Sequence, residues 1–84
     1  MKKAFIENLI ELLKTESAEE RNNLQIKLYH IIVSSKLTFN DTAAESMAKN
    51  HIINDIKDFV ENPPMYRNNL LIQLQGFPLV IKDE

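Results

Sequence analysis

The residues of this chain whose types could support chemistry are its two histidines, a few serines and an acidic run late in the sequence. His51 and Asp55 stand four apart, so a helix would set both on one face, as the beginning of a metal site. A closed zinc site takes about four ligands and a catalytic one about three, and two alone read as a surface ion pair. His30 lies among apolar residues with no second histidine or carboxylate at a fixed helical offset, which predicts a packed or boundary histidine. Ser17, Ser34, Ser35 and Ser46 lack any neighbouring base or elbow motif. The Glu-x-x-His signature of dimetal helical bundles is absent. A single glycine leaves no loop to cradle phosphate. Without cysteine there is no thiolate ligand, disulfide framework or sulfur nucleophile. The expected catalytic, metal and cofactor sites are therefore none; an enzyme is not expected, and no small-molecule substrate is evident.

The acidic run has a different meaning. Asp55, Asp58 and Glu61 form an edge along one predicted helix. Such an edge is most simply a solvated face, and it could also steer a basic partner. Tyr66 and Arg67, beside a Pro-Pro break, are residue types enriched at binding hot spots. The opening TAAESMAKNHIINDIK, residues 42 to 57, has some character of a helix-turn-helix. It lacks a glycine at the turn, and Asp55, Asp58 and Glu61 would repel phosphate against Lys49 and Lys57. Net charge is -2, with no Lys/Arg cluster, so nucleic-acid binding is not the expected function.

Four helical stretches would position these residues. The first runs from about Lys3 to Lys14, with Phe5, Ile6, Leu9, Ile10, Leu12 and Leu13 on a wide apolar face. Ser17, three residues before Glu20, forms a capping box that opens the central stretch, Ala18 to Ser35. There Leu24, Leu28, Ile31 and Ser35 share one line and Ile26, Tyr29 and Val33 a second. A helix apolar most of the way round is expected to be packed on more than one side. The short link between the first two predicts a helical hairpin.

Phe39-Asn40-Asp41-Thr42 supplies several possible N-caps, and Thr42 with Glu45 repeats the capping pattern for a third helix reaching about Glu61. Its expected inward face is Ala44, Met47, Ala48, Ile52, Ile56, Phe59 and Val60, with Ala43, Ala44 and Ala48 allowing close approach of a neighbour. Asn62-Pro63-Pro64 ends it. Pro64 starts a short fourth helix, preferred over a strand through Leu70, Ile72 and Leu74. Gly76 is expected to end it in a left-handed turn, with Phe77 folding back on Ile72. Two readings stand for the apolar tail that follows. It either covers the core or offers Phe77, Leu79, Val80 and Ile81 to a partner or a second copy. On the latter reading, loss of residues 77 to 84 weakens association more than folding.

The whole reads as one all-α domain, a small bundle of three principal helices plus a short fourth with an apolar C-terminal tail. Its 44% hydrophobic content supports a core, and one Gly with three Pro argues against hairpins. Glu7, Asn8 and Glu11 interrupt what would be a signal-peptide core, and no run approaches a membrane span; a cytoplasmic protein is expected. Abundant Asn, Lys and Ile with scarce Gly and Pro fit AT-rich coding, as in many bacteria and phages.

In size, lack of cysteine and the segments KKAFIENLIELLK and SAEERNNLQIKLYHIIV, the chain resembles the small cytoplasmic lysis-inhibition proteins (antiholins) of T-even phages. That resemblance implies a regulator that delays host lysis by binding the cytoplasmic part of a holin, and it assigns no residue roles. The expected function is a small cytoplasmic regulator acting by protein–protein binding. The partner-binding candidates are Phe77, Leu79, Val80, Ile81, Asp55, Asp58, Glu61, Tyr66 and Arg67. A DNA-binding regulator using residues 42 to 57 and a self-assembling structural protein are the alternatives.

Overall fold

A computed structural model describes residues 1–34 and 36–82. Within them, helices α1 (Lys2–Lys14), α2 (Ala18–Val33), α3 (Glu45–Glu61) and α4 (Pro63–Gly76) follow one another, and a 3-10 turn covers Phe77–Leu79. The described residues contain no strand, only an isolated antiparallel bridge between Phe39 and Ile81. The fold is the expected all-α bundle. Stretch 70–74 is helical, and α4 is 14 residues long. No described helix is long and apolar enough to cross a membrane.

Local signals set most boundaries. Ser17 Oγ accepts from the Glu20 amide at 3.3 Å, half of the predicted capping box. The other half is relayed. Glu20 Oε2 accepts from Thr15 Oγ1 at 2.7 Å, and Thr15 Oγ1 in turn accepts from the Ser17 amide at 3.4 Å. Thr15 sits between the two groups expected to meet directly.

The third helix departs from expectation at its start. Asp41, not Thr42, organises this end: its Oδ1 accepts from the Ala43 amide at 2.9 Å and its carbonyl from the Ala44 amide at 3.2 Å. This side-chain turn competes with the helix, so α3 begins only at Glu45 with Ala44 as an unassisted cap. Ala43, Ala44 and Met47 consequently face solvent rather than a neighbouring helix. Of the three alanines, only Ala48 packs on the core.

Pro63 and Pro64 occupy the first turn of α4, where missing amides cost little. Only Asn62 separates α3 from α4. Phe59 meets Arg67 and Asp55 meets Gln73, the descending pairing of an antiparallel hairpin. Each helix packs on the next, and α4 closes onto α1. Tyr29 ties α2 to α3: its hydroxyl accepts from Gln25 Nε2 at 2.8 Å and donates to the Ile53 carbonyl at 3.3 Å.

The core is built from Phe5, Leu9 and Leu12 of α1, Leu28 and Ile32 of α2, Ile52, Ile56 and Phe59 of α3, and Leu70 of α4. The expected all-round burial of α2 is not observed. Leu24, Leu28, Ile31 and Ile32 are buried, while Ile26 and Val33 are 55% and 67% exposed. The ring closes through α1 and α4, so α2 has packed neighbours on one side only. Ser35, on the predicted inner line, lies outside the described residues, as do Asp83 and Glu84.

Candidate interaction surface

Among the described residues, the groups that could do chemistry lie apart. His30 is exposed beside a shallow hollow of about 200 Å³ lined by Met1, Ile31, Ser34 and Lys36. No three metal-ligating side chains gather among the described residues. The predicted His51–Asp55 pair does not form. Asp55 Oδ2 accepts instead from Gln73 Nε2 at 2.7 Å, because a half-buried carboxylate needs a donor and α4 brings one across the hairpin. Thr42 to Lys57 is not a helix-turn-helix either: α3 runs unbroken from Glu45 through that stretch.

The binding candidates separate into buried and accessible groups. Phe77 and Ile81 belong to the core at 3% and 2% exposure. The Phe77 ring lies 5.2 Å from Phe5 and 5.8 Å from Phe39. The backbone holds the tail as well: the Asn40 amide donates to the Val80 carbonyl at 2.9 Å and the Lys82 amide to the Thr38 carbonyl at 2.7 Å. Lys2 Nζ donates to the Ile81 carbonyl at 3.2 Å. Leu79 and Val80, between the two anchors, remain exposed. Asp58 is half-buried and Glu61 exposed. Tyr66 packs partly on the core, and the Arg67 guanidinium stands 5.6 Å over the Phe59 ring, a cation–π contact worth about 0.5–1 kcal/mol at an exposed site.

The expected helix end at Gly76 also differs. Gly76 has φ -93° and ψ -40°, a right-handed conformation, and the chain keeps winding into the 3-10 turn. Phe77 therefore turns into the core, and Ile72, its expected partner, is 67% exposed.

This continuation produces a surface that the sequence reading missed. Met65, Ile72 and Leu79 recur at seven-residue spacing and are all strongly exposed. Asn68, Asn69, Gln75 and Gly76 lie beside them, also exposed. Residues 68 to 81 contain no charged side chain, the longest such run in the chain. The signal was present as heptad spacing in an uncharged segment, but the sequence reading paired Ile72 with Phe77, gave Leu79 to the tail and left Met65 unassigned.

Gly76 has no evident role inside the chain. Its backbone is one any residue adopts, and an added Cβ would meet nothing within 4 Å. Gly76→Ala is accordingly expected to stabilise the isolated chain by about 0.4–1 kcal/mol, through lost unfolded-state entropy. Urea unfolding at low protein concentration measures this.

Compared with protein families, curated proteins and solved structures, the chain matches none.

Proposed function

We propose that this chain is a small cytoplasmic regulator that acts by binding protein, with the outer face of α4 and the adjoining Leu79 and Val80 as its contact surface. The observation that carries this reading is the exposed Met65–Ile72–Leu79 heptad within an uncharged surface. Interface cores are depleted in charge and enriched in methionine, and three large apolar side chains exposed along one uncharged stretch fit such a core. No constellation for catalysis competes with it among the described residues.

The resemblance to antiholins makes the cytoplasmic part of a holin the specific partner, and delayed lysis the outcome. The test is co-expression with a holin, comparing wild type with Ile72→Glu and Leu79→Glu. Both positions are exposed, so both variants keep their fold. Delayed lysis with wild type and prompt lysis with the variants is the expected result. Equal delay by wild type and variants removes α4 as the contact surface. Unchanged timing with well-expressed wild type removes the holin.

A further inference from the structure

We propose that the seat holding the tail after Phe77 is a binding site for an extended peptide segment of another protein, and that the tail is its resident, displaceable occupant. The seat grips main chain. Three consecutive tail carbonyls accept hydrogen bonds from outside the tail. Asn40 Nδ2 donates to the Leu79 carbonyl at 3.0 Å, the Asn40 amide to the Val80 carbonyl at 2.9 Å and Lys2 Nζ to the Ile81 carbonyl at 3.2 Å. The Lys82 amide then donates to the Thr38 carbonyl at 2.7 Å. On the tail's side these bonds use backbone groups alone, so they hold any sequence without proline at the last position.

Side-chain selection falls on one position. Ile81 is buried and paired across the bridge with Phe39, whereas Leu79, Val80 and Lys82 are exposed. The bonds flanking Phe39 and Ile81 make them the closely spaced kind of antiparallel pair, so the two side chains stand together. Main-chain bonds joined to a side-chain pocket are how proteins take up an extended peptide as an added strand. The occupant that fits is a segment with one branched aliphatic residue at the Ile81 position.

The seat outlasts its occupant. The Phe39 ring is held edge to face by Phe77 at 5.8 Å, with Lys49 Nζ 5.6 Å over it. Phe77 is itself packed on Phe5 and precedes the segment to be released, so the helices stay closed when residues 79 to 82 leave. Those residues are lightly held. They contribute one buried side chain and a single bridge, and local opening costs least where buried contacts are few. The tethered tail competes at an effective concentration of roughly millimolar. A partner segment therefore prevails by adding contacts of its own.

The probe is an end-blocked synthetic peptide with the sequence of residues 78 to 82, titrated to about 5 mM. The readout is the amide NMR signals of residues 38 to 40 in the full chain. Ile81→Asp releases the tail, and Ile81→Ala does so more mildly. A Thr38→Cys/Lys82→Cys pair locks it when oxidised. Both positions are exposed and stand opposite each other across the bridge, within disulfide reach, and the chain has no other cysteine. The released variants are expected to keep helical circular dichroism and to bind the peptide at 38–40. Wild type is expected to bind at least tenfold more weakly, and the oxidised pair to show no shift until reduced. The same peptide with aspartate in place of its isoleucine is expected to be inert.

No shift at 38–40 in either released variant overturns the proposal. So does binding by the oxidised pair, binding of the aspartate peptide, or wild type binding as well as the released variants. Loss of helical circular dichroism in both released variants also overturns it, because the tail is then no displaceable occupant. The holin reading fails separately, since it turns on Ile72 and Leu79.

Discussion

Phe77→Ala is expected to cost about 3–5 kcal/mol, the range for truncating a buried aromatic. Phe77 is nearly fully buried and packs between Phe5 of α1, in a tilted contact, and Phe39 of the loop before α3, edge to face. Removing the ring leaves both aromatics facing a cavity and loosens the anchor that holds 80–82 against 38–40. At about 0.05–0.15 kcal/mol per residue, a chain of 84 residues has a total stability of about 4–13 kcal/mol. This one change thus removes between about a quarter and all of it. Leu79→Ala, two residues on and 78% exposed, is expected to stay within about 0.5 kcal/mol, as surface changes do. Urea titration of both variants at low concentration decides the point. A Phe77→Ala loss below 1 kcal/mol would mean that the tail is not part of the folding unit. Of the apolar residues in the tail, Phe77 and Ile81 are structural, and Leu79 and Val80 stay exposed.

Leu28→Ala carries the second large effect, about 2–5 kcal/mol. Leu28 is fully buried in α2, facing α1 and α3 through the same cluster as Ile32 and Ile56. Its informative control is Ile26→Ala in the same helix. Ile26 is 55% exposed, and alanine has the better helix propensity, so that change is expected near neutral. The pair reads out the one-sided packing of α2 directly: comparable losses at both positions would show that α2 is covered on two sides after all. Both variants leave α4 untouched, so their oligomeric state should follow wild type. That separates folding from association.

Helices were legible because their punctuation is local. Ser17 caps α2 through a hydroxyl three residues from its acceptor amide, and the prolines at 63 and 64 open α4 whatever surrounds them. The missed features depended on choices between two local options. Asp41 and Thr42 both offered caps, and Asp41 won by bonding the Ala43 amide, which shifted the start of α3. Gly76 could turn left-handed and end α4, but nothing required it to. Burial of Phe77 against Phe5 and Phe39 is achieved by continuing right-handed. Asp55 had a partner on its own helix in His51 and took Gln73 from another. At Gly76 and Asp55 the deciding contact came from a residue distant in sequence, whereas Asp41 prevailed through an amide only two residues on.

The candidate surface was legible only in part. Leu79 and Val80 were named from their apolar position near the end of the given sequence. The heptad of Met65, Ile72 and Leu79 could be counted from the sequence, but its exposure could not. By itself the sequence determined that this protein is a set of punctuated amphipathic helices, because caps and breaks are properties of short segments. Which apolar line of each helix faces inward was decided by tertiary structure. A helix such as α4, apolar on several sides, carries no local record of where its neighbours stand. Closure of α4 onto α3 and α1 buries Leu70 and leaves Ile72 outside.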